Sequence, residues 1–273
     1  MDIEGDIMKK VITVIMLFFL SLSIVACHEE KTYDDLYLEY LTHIENNELN
    51  YQSSIDYFNH LSQEVIKSVV LVEKIVQTSS ESSTGSGVLF KSDANYYYIL
   101  TNNHVIYSEI VSDSTIYTIS DFQGNEYDAE LIEQSGDYDL AILRIERGPL
   151  DLPIIEFAPS NPLVYEKMAV LGYPGYQINA ISLGNVVDYA FIEVESTSFD
   201  VINVLFDVLI SDVPVKSGSS GSVSVNDQFQ LVGIVYAGNF KDTSTTSEYT
   251  FSIPVEKVLE FFQLKQFSLE DNS

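Results

Sequence analysis

An all-β fold of two six-stranded antiparallel β-barrels, with an N-terminal helical segment and a C-terminal helix, is what this sequence predicts, and three observations carry the prediction. From about residue 65 the chain breaks into short runs rich in valine, isoleucine and tyrosine. Gly, Ser, Asn and Asp separate these runs, which is the punctuation of strands and turns. Twelve runs can be marked off, and a strand-poor stretch near residues 149–163, with Pro153, Pro159 and Pro162, divides them near the middle.

The predicted strands are Val69 to Val76, Gly87 to Lys91, Tyr96 to Thr101, Thr115 to Ser120, Tyr127 to Gln134 and Leu140 to Ile145, then Met168 to Gly172, Ser182 to Asp188, Val204 to Ile210, Ser222 to Val225, Leu231 to Tyr236 and Tyr249 to Ile253. The two barrels therefore span about 65–157 and 163–253. A final helix is expected over Val255 to Phe262, after Pro254, with Val258, Leu259 and Phe262 on one side, and residues 265–273 form a tail. The sequence shows no internal repeat.

Ahead of the barrels, residues 28–64 are polar, acidic and rich in tyrosine. Tyr37, Leu41 and Ile44, then Ile55, Phe58, Leu61 and Val65, stand at helical spacing, so two short amphipathic helices are expected. The segment is either a spacer or helices packed on the domain behind it. Residues 11–26, VITVIMLFFLSLSIVA, form an apolar run directly after Lys9 and Lys10. At 16 residues the run is short for a membrane span of about 20, and residues 1–27 read as a secretory signal. Ile24-Val25-Ala26-Cys27 resembles the lipobox of bacterial lipoproteins, which implies lipidation of Cys27 and anchoring to the outer face of a membrane. Asp2, Glu4 and Asp6 are out of place in a basic signal start, so translation is expected to begin at Met8.

Composition excludes some partners. The formal charge is −28, and losing residues 1–27 leaves −27, an acidic field that repels nucleic acid and anionic membrane surfaces. Cys27 is the only cysteine, so no intramolecular disulfide can form.

The chemistry concentrates in Lys216-Ser217-Gly218-Ser219-Ser220-Gly221-Ser222-Val223. A serine hydroxyl needs a base to accept its proton, and the developing oxyanion needs fixed backbone donors that glycine lets approach. In this octet only Ser220 has glycine two residues before it and one after it. It is the candidate nucleophile, with the amides of Gly218, Ser219 and Ser220 as candidate oxyanion donors, although such a cluster also reads as a plain turn. His28, His43 and His60 lie in the polar segment and read as surface residues. His104 stands where an apolar strand ends, in Leu100-Thr101-Asn102-Asn103-His104-Val105-Ile106, and is the candidate base. Asp139 opens the apolar strand Leu140 to Ile145 and is the candidate acid that orients the imidazole, against the plainer reading of a strand-end cap. Asp137, two residues earlier, reads as a solvated turn residue.

The order histidine, aspartate, serine is that of trypsin; α/β-hydrolases put serine first and subtilisins put aspartate before histidine. Here the sequence resembles the trypsin/chymotrypsin superfamily, and most closely bacterial HtrA-type (DegP-like) serine proteases. Gly85-Ser86-Gly87-Val88-Leu89-Phe90, Thr101 to Ile106, Tyr138 to Ile145, Leu171-Gly172-Tyr173-Pro174-Gly175, Gly184-Asn185-Val186-Val187 and Phe251-Ser252-Ile253-Pro254 carry the resemblance, over roughly residues 65–264. It implies chymotrypsin-like barrels, a His104, Asp139 and Ser220 triad in the cleft between them, protein or peptide substrates, and no metal or cofactor. It also implies a substrate pocket walled by Pro214, Tyr236, Ala237 and Gly238. Pro214 stands where trypsin-like enzymes carry an acidic residue, so the expected preference is for an apolar or small residue rather than lysine or arginine.

Three departures stand out. Ser219 replaces the asparagine, Ser222 the second glycine and Val223 the proline of the usual GNSGGP. About ten residues follow the predicted terminal helix, too few for the PDZ domain typical of the HtrA type. A catalytically weak protease-fold lipoprotein that acts as a surface binding protein is the alternative reading.

Overall fold

The computed structural model describes residues 52–78, 81–108, 115–149, 151–176, 180–193, 204–241 and 244–269. The expected signal, Cys27 and the first of the two expected helices lie outside these residues. The chain divides into two compact units, residues 1–55 and 56–273, and the second contains every strand found among the described residues.

Twelve strands close into two barrels, all pairs antiparallel. The first holds β1 (Val69–Val76), β2 (Ser82–Ser92), β3 (Tyr96–Thr101), β4 (Thr115–Ser120), β5 (Glu126–Ser135) and β6 (Leu140–Glu146). The second holds β7 (Lys167–Gly172), β8 (Ala180–Ala190), β9 (Val208–Ser211), β10 (Val223–Val225), β11 (Leu231–Phe240) and β12 (Ser247–Pro254). The order around the first is β1-β2-β3-β6-β5-β4, and around the second β7-β8-β9-β12-β11-β10, so one strand topology occurs twice. Helix α1 covers residues 52–63 of the described chain. A single turn, α2 (Asn103–Ile106), follows β3, and α3 (Val255–Leu264) follows β12.

The apolar runs of β1, β3 and β6 are nearly continuous because both faces of these strands are buried. Alternate residues serve different cores. Val70, Val72, Ile99, Ala141 and Leu143 fill the first barrel, whereas Val69, Leu100, Leu140 and Ile142 face a second core shared with Leu171, Tyr173, Val223, Ile234, Phe261 and Phe262. That shared core glues barrel to barrel, and α3 is part of it. From α1, Leu61 is fully buried in the same core. The Tyr57 hydroxyl donates to the Asn226 carbonyl at 3.1 Å, and the exposed ring of His60 lies 3.9 Å from that of Phe229.

Most strand limits differ from the sequence expectation by a residue or more, and of the starts two shift the most. β2 begins at Ser82 rather than Gly87, because Ser82 to Gly85 are drawn into the sheet by pairing with Ile75 to Val72 of β1 and not by their own propensity. β9 begins at Val208 rather than Val204; Phe206 leaves the sheet, its ring 5.6 Å from that of Tyr138.

Candidate active site

His104 is placed by a short, firmly held turn. Val105 and Ile106 are buried in the first barrel. The Tyr107 N–H donates to the Asn103 carbonyl, and the Ser83 hydroxyl to that of Val105. Lys74, buried in β1, caps the end of the turn by donating to the Tyr107 carbonyl, and it also pairs with Glu81 at 2.6 Å.

Asp139 is fully buried at the mouth of β6 and adopts φ +49°, a left-handed conformation that aspartate tolerates better than most residues. Its N–H donates to the Gly136 carbonyl at 3.2 Å, and its own carbonyl accepts the Asn102 side-chain amide at 2.9 Å. Both carboxylate oxygens are taken by one residue. Oδ1 accepts the His104 backbone N–H at 2.9 Å and Oδ2 lies 2.7 Å from His104 Nδ1. A carboxylate can only accept, so Nδ1 carries a proton, and in the neutral ring Nε2 presents its lone pair. The His104 side chain is 16 % exposed, open enough to meet a substrate. Asp137 is exposed and makes no part of this contact.

The loop of Ser220 comes from the second barrel. Gly218 (φ +88°) and Gly221 (φ +82°) supply the left-handed conformations it needs. The Ser219 N–H donates to the Lys216 carbonyl, and the Ser222 N–H to that of Ser219. The Gly221 N–H donates to the Val235 carbonyl. The amides of Gly218 and Ser220 have no acceptor among the described residues. Of the three expected oxyanion donors, these two are uncommitted and Ser219 is engaged in the turn.

Ser86 joins the loop to the first barrel, and reasoning from sequence gave this residue no role. Its N–H donates to the Ser220 carbonyl at 2.7 Å, its carbonyl accepts the Thr101 hydroxyl at 2.7 Å, and its Oγ accepts the Tyr173 N–H at 2.9 Å and the Ser222 hydroxyl at 3.1 Å. Gly85 beside it is the spacer between the His104 turn and the Ser220 loop. A Cβ there would lie 2.7 Å from Val105 and 2.9 Å from the Ser220 carbonyl oxygen. The signal was the run Gly85-Ser86-Gly87, small residues inside a strand where backbones must approach closely.

The departures in the loop are absorbed locally. Ser222 fits because residue 172 is glycine: a Cβ at Gly172 would sit 1.8 Å from Ser222 Oγ. Val223 opens β10, a strand paired on both sides, with Leu171 and with Ile234. Proline there would remove an N–H from the ladder.

Of the residues expected to wall the substrate pocket, Pro214 lines a cavity of about 220 Å³ with Val215, Lys216, Ser219, Ser182 and Thr246. Tyr236 instead is buried in the core between the barrels, and its hydroxyl has no partner among the described residues. Burial first, and then the charge of Asp139, push its phenol well above the ordinary range. Ala237 and Gly238 are half-buried on β11. The backbone at Gly238 lies against Ser247, where an added Cβ would come within 3.0 Å of the serine Cβ. No group of three or more His, Cys, Asp or Glu side chains suited to a metal occurs among the described residues.

A trypsin-like peptidase domain model matches residues 85–234. Serine protease Do-like HtrB of Bacillus subtilis is 32% identical over 153 residues, 55% of this chain and 31% of that protein. Periplasmic serine endoprotease DegP of Escherichia coli is 28% identical over 151 residues, 55% of this chain and 29% of that protein. The chain thus spans about a third of the length of the curated relatives it matches. Among solved structures, the HtrA-type protease AlgW with tripeptide superposes with a TM-score of 0.60 at 25% identity, over 76% of this chain and 62% of that one. The active form of the Rv3671c protease of M. tuberculosis, at 20% identity and TM-score 0.59 over 78% of this chain and 88% of its own, shares the fold. The family match covers more than half of the sequence, and the chain belongs to the trypsin-like peptidase family, with HtrA-like relatives.

Proposed function

We propose that this protein is a serine endopeptidase that hydrolyses peptide bonds through an acyl-enzyme. In this reading Asp139 holds the imidazole, and His104 Nε2 takes the proton from Ser220 Oγ as the hydroxyl attacks the carbonyl. The amides of Gly218 and Ser220 receive the oxyanion, and His104 then returns the proton to the leaving amine. Water repeats the cycle to release the acyl group. The observation that carries the reading is the buried Asp139 carboxylate, with both oxygens on His104 and the imidazole left partly open. The two uncommitted amides beside Ser220 support it.

The rest of the chain reads as delivery. Residues 1–27 are a lipoprotein-type signal, Cys27 carries the lipid, residues 28–64 connect the anchor to the protease domain of residues 65–264, and the protein acts outside the cytoplasm. The word periplasmic in the name of DegP supports export. The acidic charge supports protein substrates rather than nucleic acid. The lining of the cavity beside Pro214, which holds no acidic side chain among the described residues, supports an apolar or small residue before the cleaved bond.

The test is labelling of the exported protein by a fluorophosphonate, with cleavage of a peptide library alongside. Labelling that disappears in Ser220→Ala and cleavage after small or apolar residues are expected. Undiminished labelling or cleavage by Ser220→Ala removes Ser220 from the mechanism, and a wild-type protein that neither labels nor cleaves is a binding protein on a protease fold.

A further inference from the structure

The turn that presents Asp139 is braced from outside its own barrel. Tyr138, next to Asp139 in the chain, packs its ring with Phe206, at 5.6 Å between centroids, and with the buried Phe261 of α3, at 6.0 Å. Its hydroxyl donates to Glu260 Oε1 at 2.5 Å, a contact between residues 122 apart in sequence. The other Glu260 oxygen accepts Lys257 Nζ at 2.6 Å, and Lys257 sits 5.2 Å from the Phe206 ring. A second tie, from Lys265 to Glu133 of β5 at 3.5 Å, joins the end of α3 to the strand entering the same turn.

Charge and protonation suit a fixed bond. Burial and then Glu260 push the Tyr138 phenol up to about 12, so it keeps its proton and donates. Hydrogen bonds from Lys257 and then Tyr138 hold the Glu260 carboxyl below the usual range, so it stays an acceptor. Asp137 is the other charged group acting on Tyr138, and it is exposed.

We propose that Tyr138 is a positioning residue for catalysis, tying the Asp139 turn to Glu260 of α3 and so fixing the carboxylate against His104. This rests on the reading of Asp139 as the group that orients His104. The physical argument is lever length: one peptide bond separates Tyr138 from a left-handed residue whose two oxygens must both meet His104. A turn of that kind is held by its surroundings rather than by its own preference. Small displacements of an orienting group are costly in turnover, about 100-fold for 1 Å.

The experiment compares the intact wild-type chain with Tyr138→Phe, Glu260→Ala and Glu260→Gln, separating kcat from KM and following the His104 Nδ1–H proton by NMR. Tyr138→Phe keeps the ring between Phe206 and Phe261 and removes only the bond. Expected are a fall in kcat of about tenfold at unchanged KM and a shifted or broadened Nδ1–H resonance in Tyr138→Phe and Glu260→Ala. Glu260→Gln, which still offers the phenol an acceptor, stays near wild type, and combining Tyr138→Phe with Glu260→Ala adds no further loss. Wild-type kcat with an unmoved resonance in Tyr138→Phe overturns the proposal, as does a loss confined to KM. A wild-type protein that neither hydrolyses nor labels refutes the triad reading by itself. In that case the proposal's catalytic part falls with it, and the resonance decides only whether Tyr138 fixes Asp139 against His104, an unmoved signal in Tyr138→Phe overturning that as well.

Discussion

The Ser86 N–H reaches across from the first barrel to donate to the carbonyl of Ser220 at 2.7 Å. The Ser220 loop is therefore registered by backbone to the strand that runs beside the His104 turn, with Gly85 and Gly221 on either side of the contact. A Cβ at Gly221 would fall 1.8 Å from the Ser86 carbonyl oxygen, at a φ of +82°.

Replacing Gly221 by alanine adds a steric clash to left-handed strain. The expected cost is about 3 kcal/mol of stability, with activity lost in whatever fraction still folds. Urea unfolding of Gly221→Ala beside wild type measures it, and a variant as stable as wild type would contradict the geometry.

Gly172 and Ser222 form a compensating pair. Gly172→Ala alone is expected to destabilise by about 2 kcal/mol because its Cβ meets the Ser222 hydroxyl. In a Ser222→Gly background much of that cost disappears. A double-mutant cycle by thermal unfolding gives the coupling, and simple additivity would show that the two do not compete for space.

Asp139→Asn keeps the shape of the side chain and removes the acceptor that sets the His104 tautomer. Turnover should drop by about 10^4 with little change in KM or in the circular dichroism spectrum. Activity within tenfold of wild type would leave His104 without need of a carboxylate.

Acid should loosen the His104 turn through Glu81. Its hydrogen bond from Lys74 is the largest influence on a carboxyl held below its ordinary value of 4.5. The folded-state value is the lower one, so the unfolded chain binds the extra proton first. Stability from the pair is complete above pH 4.5 and is lost as pH falls through the lowered folded value. Unfolding midpoints between about pH 6 and pH 3 should show wild type losing its advantage over Glu81→Gln at the acid end. A constant difference across that range would exclude the linkage.

Much of the fold was legible in the sequence for a physical reason. Strands such as Leu140 to Ile145 announce themselves because both faces are buried, His104 stands where an apolar run stops and Asp139 where one starts. Other features were hidden because they depend on distant partners. Ser82 to Gly85 look like a loop until β1 pairs with them. Val204 to Asp207 look like strand until Phe206 is claimed by Tyr138. The role of Ser86 comes from four partners spread between residues 101 and 222, and no local pattern carries it. The repeated strand order leaves no trace in the sequence, since what it conserves is connection and not side chains.

If the proposed mechanism holds, the division of its residues between the two barrels makes activity a report on assembly. A chain with only its first half in place owns a poised base and nothing for it to activate, and one with only its second half owns a hydroxyl as inert as any surface serine. On that reading hydrolysis begins only after the halves dock, so a newly made molecule stays harmless to itself and its neighbours while it is still vulnerable to cutting.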